Sequence, residues 1–119
     1  MKKPEDVITI DNADIEFKRL SEIVEGQIRN GRSSSEEMKL LNSIKQKLDF
    51  IRYDMFYGDG IHKDLIPKSY KVRNLWRVEL FNFWRMLYTI KTDDRGTICF
   101  IIDILDHKSY DDKFGYRKK

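Results

Sequence analysis

Between Leu75 and Ile90 the chain reads LWRVELFNFWRMLYTI, and the alternation in this run constrains the fold more than any other feature. Trp76, Val78 and Leu80 alternate with Arg77 and Glu79, and Trp84, Met86, Tyr88 and Ile90 alternate with Arg85, Leu87 and Thr89. A period of two marks strands with two distinct faces. If Leu80 and Trp84 face each other across a loop of Phe81, Asn82 and Phe83, all the large apolar residues share one face and Arg77, Glu79 and Arg85 share the other. A two-residue loop shifts the register by one and drives Arg85 into the apolar set, where an unpaired charge is costly. The three-residue loop is therefore expected, with Asn82 or Phe83 in an unusual backbone angle. One sheet face is left for packing and one displays arginines.

The rest of the chain supplies what packs on that sheet. Val7 to Ile10 reads as a short strand after Pro4. Phe17, Leu20, Val24 and Ile28 then recur at helical spacing, with Asp11 or Asn12 as N-cap and Asn30 and Gly31 as a stop. After a polar turn, Ser34 and Glu37 form a capping box, and Met38, Leu41, Ile44, Leu48, Ile51 and Met55 run down a second helix. The glycines and proline of YGDGIHKDLIPKSY predict an irregular passage from helices to sheet. Thr92 to Gly96 is a turn, and TICFIIDIL is a nearly continuous apolar strand, as a central strand covered on both faces should be. The final HKSYDDKFGYRKK has no long periodic segment. The expected fold is α+β: an N-terminal strand, a two-helix hairpin, and an antiparallel sheet of three C-terminal strands packed on the helices. At 119 residues a single domain over 1–119 is expected.

Composition narrows the function classes. The lone Cys99 forms no internal disulfide and sits in an apolar run, which suits a reducing cytoplasm. MKKPEDVITI lacks the apolar core of a secretory signal, and no segment reaches membrane-spanning length. With two histidines and one cysteine, none at ligand spacing, no metal and no cofactor is expected. His62 stands alone in a glycine-rich loop. No phosphate-binding glycine loop, nucleophile elbow or dinucleotide fingerprint is present. The net charge of +3 is uneven: residues 1–70 hold 12 bases against 13 acids, and residues 71–119 hold 11 against 7.

The order strand, helix, helix, three strands, with LWRVEL, WRMLYTI and the ending IIDILDHKSYDDKFGYRKK, resembles the RelE/ParE toxin superfamily of toxin–antitoxin modules. The resemblance implies cleavage of messenger RNA on the ribosome without a metal for RelE-like members, and inhibition of DNA gyrase without cleavage for ParE-like ones. It implies a cognate antitoxin, the ribosome and mRNA as partners, no membrane, and a homodimer of the free protein as a further expectation. Carried over singly, Arg85 of WRMLY matches the family's phosphate-stabilising arginine and Arg77 its basic residue on the preceding strand. Glu79 stands where a second lysine is often found. His107 and Lys108 take the place of a basic pair after the last strand, and Tyr110 and Tyr116 are the nearest candidates for a C-terminal catalytic tyrosine.

These residue types suit the implied chemistry. In metal-free RNA cleavage the 2′-hydroxyl attacks the adjacent phosphate, which calls for a base, an acid and cations around the developing charge. Arginine holds two phosphate oxygens at once and stays charged, histidine titrates near neutrality, and a tyrosine hydroxyl can donate a proton. The plainer alternative for Arg85 is a salt bridge to Asp103 or Glu79 across neighbouring strands. For the tyrosines it is packing of the tail on the sheet. A fold that holds these residues without activity is a further alternative.

Overall fold

The computed structural model describes residues 2–115. It is an α+β fold with three α-helices and a mixed, open five-stranded sheet: β1 (Asp6–Thr9), α1 (Asp11–Arg29), α2 (Glu36–Tyr53), β2 (Asp59–Gly60), β3 (Trp76–Glu79), β4 (Arg85–Asp93), β5 (Gly96–Leu105) and α3 (His107–Phe114). The strand order is β1-β5-β4-β3-β2, with β1 parallel to β5 and the other pairs antiparallel.

The hairpin follows the alternation. Leu80 N–H donates to the Trp84 carbonyl at 2.8 Å, and Trp76, Val78 and Glu79 face Tyr88, Met86 and Arg85. Both Asn82 (φ 59°) and Phe83 (φ 62°) are left-handed, which closes the loop in three residues. The apolar face of β3 and β4 packs with β5 under the two helices, where Leu20, Val24, Leu41, Ile44, Leu48 and Ile51 are buried. Ile28, expected in the α1 stripe, is instead 59% exposed, one turn beyond the buried Val24.

Both helix starts differ from expectation, and in α1 the side chain of Asn12 is drawn into a tertiary bond instead of capping. Ile10 occupies the α1 cap without a side-chain bond, while Asn12 donates its amide to Asp103 at 2.6 Å. Ser35, not Ser34, caps α2 by accepting from Met38 N–H at 3.0 Å. Ser35 also donates to Gln27 of α1 at 2.6 Å, and Gln27 donates to Glu37 at 3.0 Å, so the helix pair is tied at its turn.

The second sheet face departs most from expectation. It does not simply display arginines. Leu75, Leu87, Ile102 and Tyr110 form a second buried cluster, with Tyr70, Phe100 and Phe114 packed against it. The cover is α3 and the 61–72 segment. The tail thus contains a helix that its weak periodicity did not announce, although its ends are marked: Asp106 accepts from Ser109 N–H at 2.7 Å, and Gly115 closes it at φ 74°. The two-residue β2 was likewise unforeseen; it pairs Asp59 with Arg77 and Gly60 with Trp76.

Two tyrosine hydroxyls, that of the buried Tyr88 and that of the half-buried Tyr70, join the layers. Tyr88 donates to the Met55 carbonyl at 2.7 Å and accepts from Gly58 N–H at 3.0 Å. Gly58 is required there, because a Cβ would lie 2.9 Å from the Arg77 carbonyl oxygen and 3.0 Å from the Tyr88 ring. On the other face, Tyr70 donates to Asp103 at 2.6 Å. Tyr88→Phe keeps the ring and strands both backbone partners, so urea denaturation should show a loss of about 1–3 kcal/mol; an unchanged midpoint would show that the hydroxyl contributes nothing.

Burial, and secondly Asp103, push the Tyr70 hydroxyl far above its ordinary pKa, and burial does the same to Tyr88. Burial pushes the Cys99 thiol up to about 11. Raised folded values mean that the unfolded chain releases these protons first. Their contribution is therefore complete below the unfolded pKa values, about 8.5 for a thiol and about 10 for tyrosine, and is lost as pH rises beyond them. The urea midpoint is expected to hold through neutrality and fall above about pH 9, with the two tyrosines ionising by ultraviolet absorbance only as the fold opens. Tyrosinate absorbance from both without unfolding would contradict the buried assignment.

Candidate functional site

The arginine face is built by strand register. Arg77 lies mid-β3 and Arg85 opens β4, where it sits opposite Glu79. Both point to the face that α3 covers, and between them lies Tyr110, 3% exposed. Arg77 Nη1 donates to the Tyr110 hydroxyl at 3.3 Å, and Nη2 lies 3.7 Å from Asp59 Oδ2. The Tyr110 bond strengthens the hold of Arg77 on its proton, against the opposing effect of burial. The Arg85 guanidinium stands 5.2 Å over the Tyr110 ring, and its Nη1 donates to the Phe83 carbonyl.

Neither alternative ion pair of Arg85 forms. No carboxylate of the described residues lies within salt-bridge distance of it, Glu79 included. Asp103 is occupied elsewhere, by Asn12 and Tyr70. The Nε atoms of Arg77 and Arg85 are both buried and have no hydrogen-bond partner among the described residues. Buried N–H groups normally find an acceptor, so two unspent donors on neighbouring strands mark a place where acceptors are missing.

The tail residues separate into buried and exposed. His107, the first residue of α3, is 59% exposed at its side chain; its Nε2 lies 3.2 Å from Asp111 Oδ2 and its ring is 6.1 Å from Phe83. Lys108 is exposed beside it. Tyr110 faces inward and stacks on Phe114 at 4.4 Å. Tyr116 lies outside the described residues. The structure thus gathers Arg77, Arg85 and Tyr110 and leaves His107 and Lys108 at the solvent edge of the same helix. His62 is remote from them, accepting from Asp64 N–H in its own loop.

Residue types and alternation singled out the arginines, but the role of Asp103 was only half visible. It stood out as the one acid within TICFIIDIL, yet its partners come from 33 and 91 positions away. Among the described residues no group of three His, Cys, Asp or Glu could hold a metal ion, and no helix is long and apolar enough to cross a membrane. No family model matches the chain, and comparison with curated proteins and with solved structures finds no match.

Proposed function

We propose that this chain is a RelE-like toxin of a toxin–antitoxin module, a metal-independent endoribonuclease that cuts messenger RNA on the ribosome and so stops translation in the cytoplasm. The observation that carries the reading is the pair Arg77 and Arg85, two guanidinium groups on adjacent strands with buried Nε donors unspent. Phosphate is the anion that a pair of guanidinium groups suits. The resemblance of WRMLYTI and LWRVEL to the family implies a phosphate-stabilising arginine at Arg85 and a basic residue on the preceding strand at Arg77.

In this reading the RNA 2′-hydroxyl attacks the adjacent phosphorus and the 5′-oxygen leaves. Arg77 and Arg85 stabilise the charge that builds on the non-bridging oxygens. His107, exposed at the start of α3, moves the proton, and Lys108 adds attraction for the strand. Tyr110 is a positioning residue: its ring and hydroxyl hold the two guanidinium groups apart and aimed. The antitoxin is the proposed partner that withholds this face.

The burial of Tyr110 and the acid Glu79 opposite Arg85 favour a second reading on the same fold, a ParE-like protein that binds gyrase without cutting, or an inactive member. A cell-free translation reaction separates them, with new 5′ ends mapped by primer extension. The chain should give discrete cuts that need translating ribosomes. Arg85→Ala should lower cutting by about a hundredfold or more while its urea midpoint moves by no more than about 1 kcal/mol equivalent. Intact message with the unaltered protein would reject the nuclease reading.

A further inference from the structure

The N-terminal end of α1, residues 69–72, β4, β5 and Lys113 line a cavity of about 370 Å³. It adjoins a second, of about 350 Å³, and the two share Lys71, Val72, Thr89 and Lys91. The first is of the size that takes one small organic molecule. Its lining is divided by chemistry. Ile10, Val72 and Phe100 contribute apolar wall, while the buried Asp103, 4% exposed, contributes a carboxylate.

That carboxylate is unusual. It accepts from Asn12 and Tyr70, each at 2.6 Å, and no cation of the described residues lies within salt-bridge distance. A carboxylate offers about four lone-pair positions, so two neutral donors leave acceptor capacity in a place where water is scarce. The margin of the joined cavities has the opposite character: Lys71, Arg73, Lys91 and Lys113 are set against the single exposed acid Asp11. A buried carboxylate with acceptor capacity left over, under a basic mouth, calls for a molecule with N–H donors at one end and negative charge at the other.

We propose that this cavity is a guanine-nucleotide site, with the N1–H and N2–H edge of the base donating to Asp103 and the phosphate held by Lys71, Lys91 and Lys113. Guanine is the base that fits, because it presents two parallel N–H donors at the spacing of the two carboxylate oxygens. Adenine and cytosine present one amino group on that edge, and uracil flanks its single N–H with two carbonyls. The apolar wall receives the base plane. The site shares no residue with the arginine pair and does not rest on the ribonuclease reading.

The test is isothermal titration calorimetry of the full chain with 5′-GMP, 5′-UMP, guanosine and inorganic phosphate. Binding of GMP should exceed that of UMP by roughly tenfold or more, the discrimination of one bidentate base contact. Guanosine should bind more weakly than GMP. Asp103→Asn replaces an acceptor by a donor and should abolish the preference for GMP over UMP. The exposed pair Lys71→Ala and Lys91→Ala, made together, should weaken GMP toward guanosine while the fold is kept, and so decides the matter if Asp103→Asn does not fold. Arg85→Ala, outside the cavity lining, should keep the preference for GMP over UMP, which separates this site from the nuclease reading. Equal affinity for GMP, UMP and phosphate would reduce the site to a general anion patch and overturn the proposal, as would no binding at all.

Discussion

β5 is the strand on which the molecule is assembled. It bonds β1 on one edge and β4 on the other, it carries the α1–α2 layer on one face, and it carries α3 and the 61–72 segment on the other. Cys99, Ile101, Ile102, Asp103 and Ile104 are all buried as a result. A strand covered on both faces has no solvent side for a charge, so Asp103 must find its donors inside. It finds them in Asn12 and Tyr70, and those two bonds fix the start of α1 and the 68–70 turn to the sheet. One acid in the most apolar strand thereby organises two segments that are distant from it in sequence.

The second layer explains how two arginines can sit in an aromatic region. An eight-residue helix is too short to persist alone, so α3 owes its place to packing. Tyr110 and Phe114 provide it, stacked on each other and inserted beside Leu75, Leu87 and Ile102. The same ring that anchors α3 gives Arg85 a π-face and Arg77 a hydroxyl. The guanidinium groups are accommodated because their stems pack while part of each head keeps contact with solvent. Helix anchor and arginine support are one side chain.

How much of this was legible depends on whether the determining interactions are local. The β3–β4 register was legible, because every alternative puts Arg85 among Val78, Leu80 and Met86. The core stripe of α2 was legible for the same reason, since Leu41, Ile44, Leu48 and Ile51 leave one face open to no other use. The cover on the arginine face was not. DHKSYDDKFG carries its capping signals in Asp106, Ser109 and Gly115, but eight residues give too few turns for a period to stand out. The partner of Arg85 was hidden as well: it is the Phe83 carbonyl, and that oxygen turns toward the guanidinium only because the loop is left-handed at two successive residues.

The arginine pair and the cavity beside Lys113 both adjoin α3, and this bears on what either can do. Tyr110 faces the arginines, while Lys113, three residues on, stands 5.1 Å over the Tyr70 ring at the cavity wall. Residues three apart on a helix are neighbours along one side, so a change in the tilt or rotation of α3 moves both. Tyr70 is itself bonded to Asp103 and tilted against Phe114 at 6.5 Å, which links the cavity floor to the ring stack that supports Arg77 and Arg85. Three aromatic rings, Tyr70, Phe114 and Tyr110, thus connect the two regions. A group that binds in the cavity only when α3 is seated stabilises the seated helix, and whatever requires α3 to lift from the arginines opposes that binding by the same free energy.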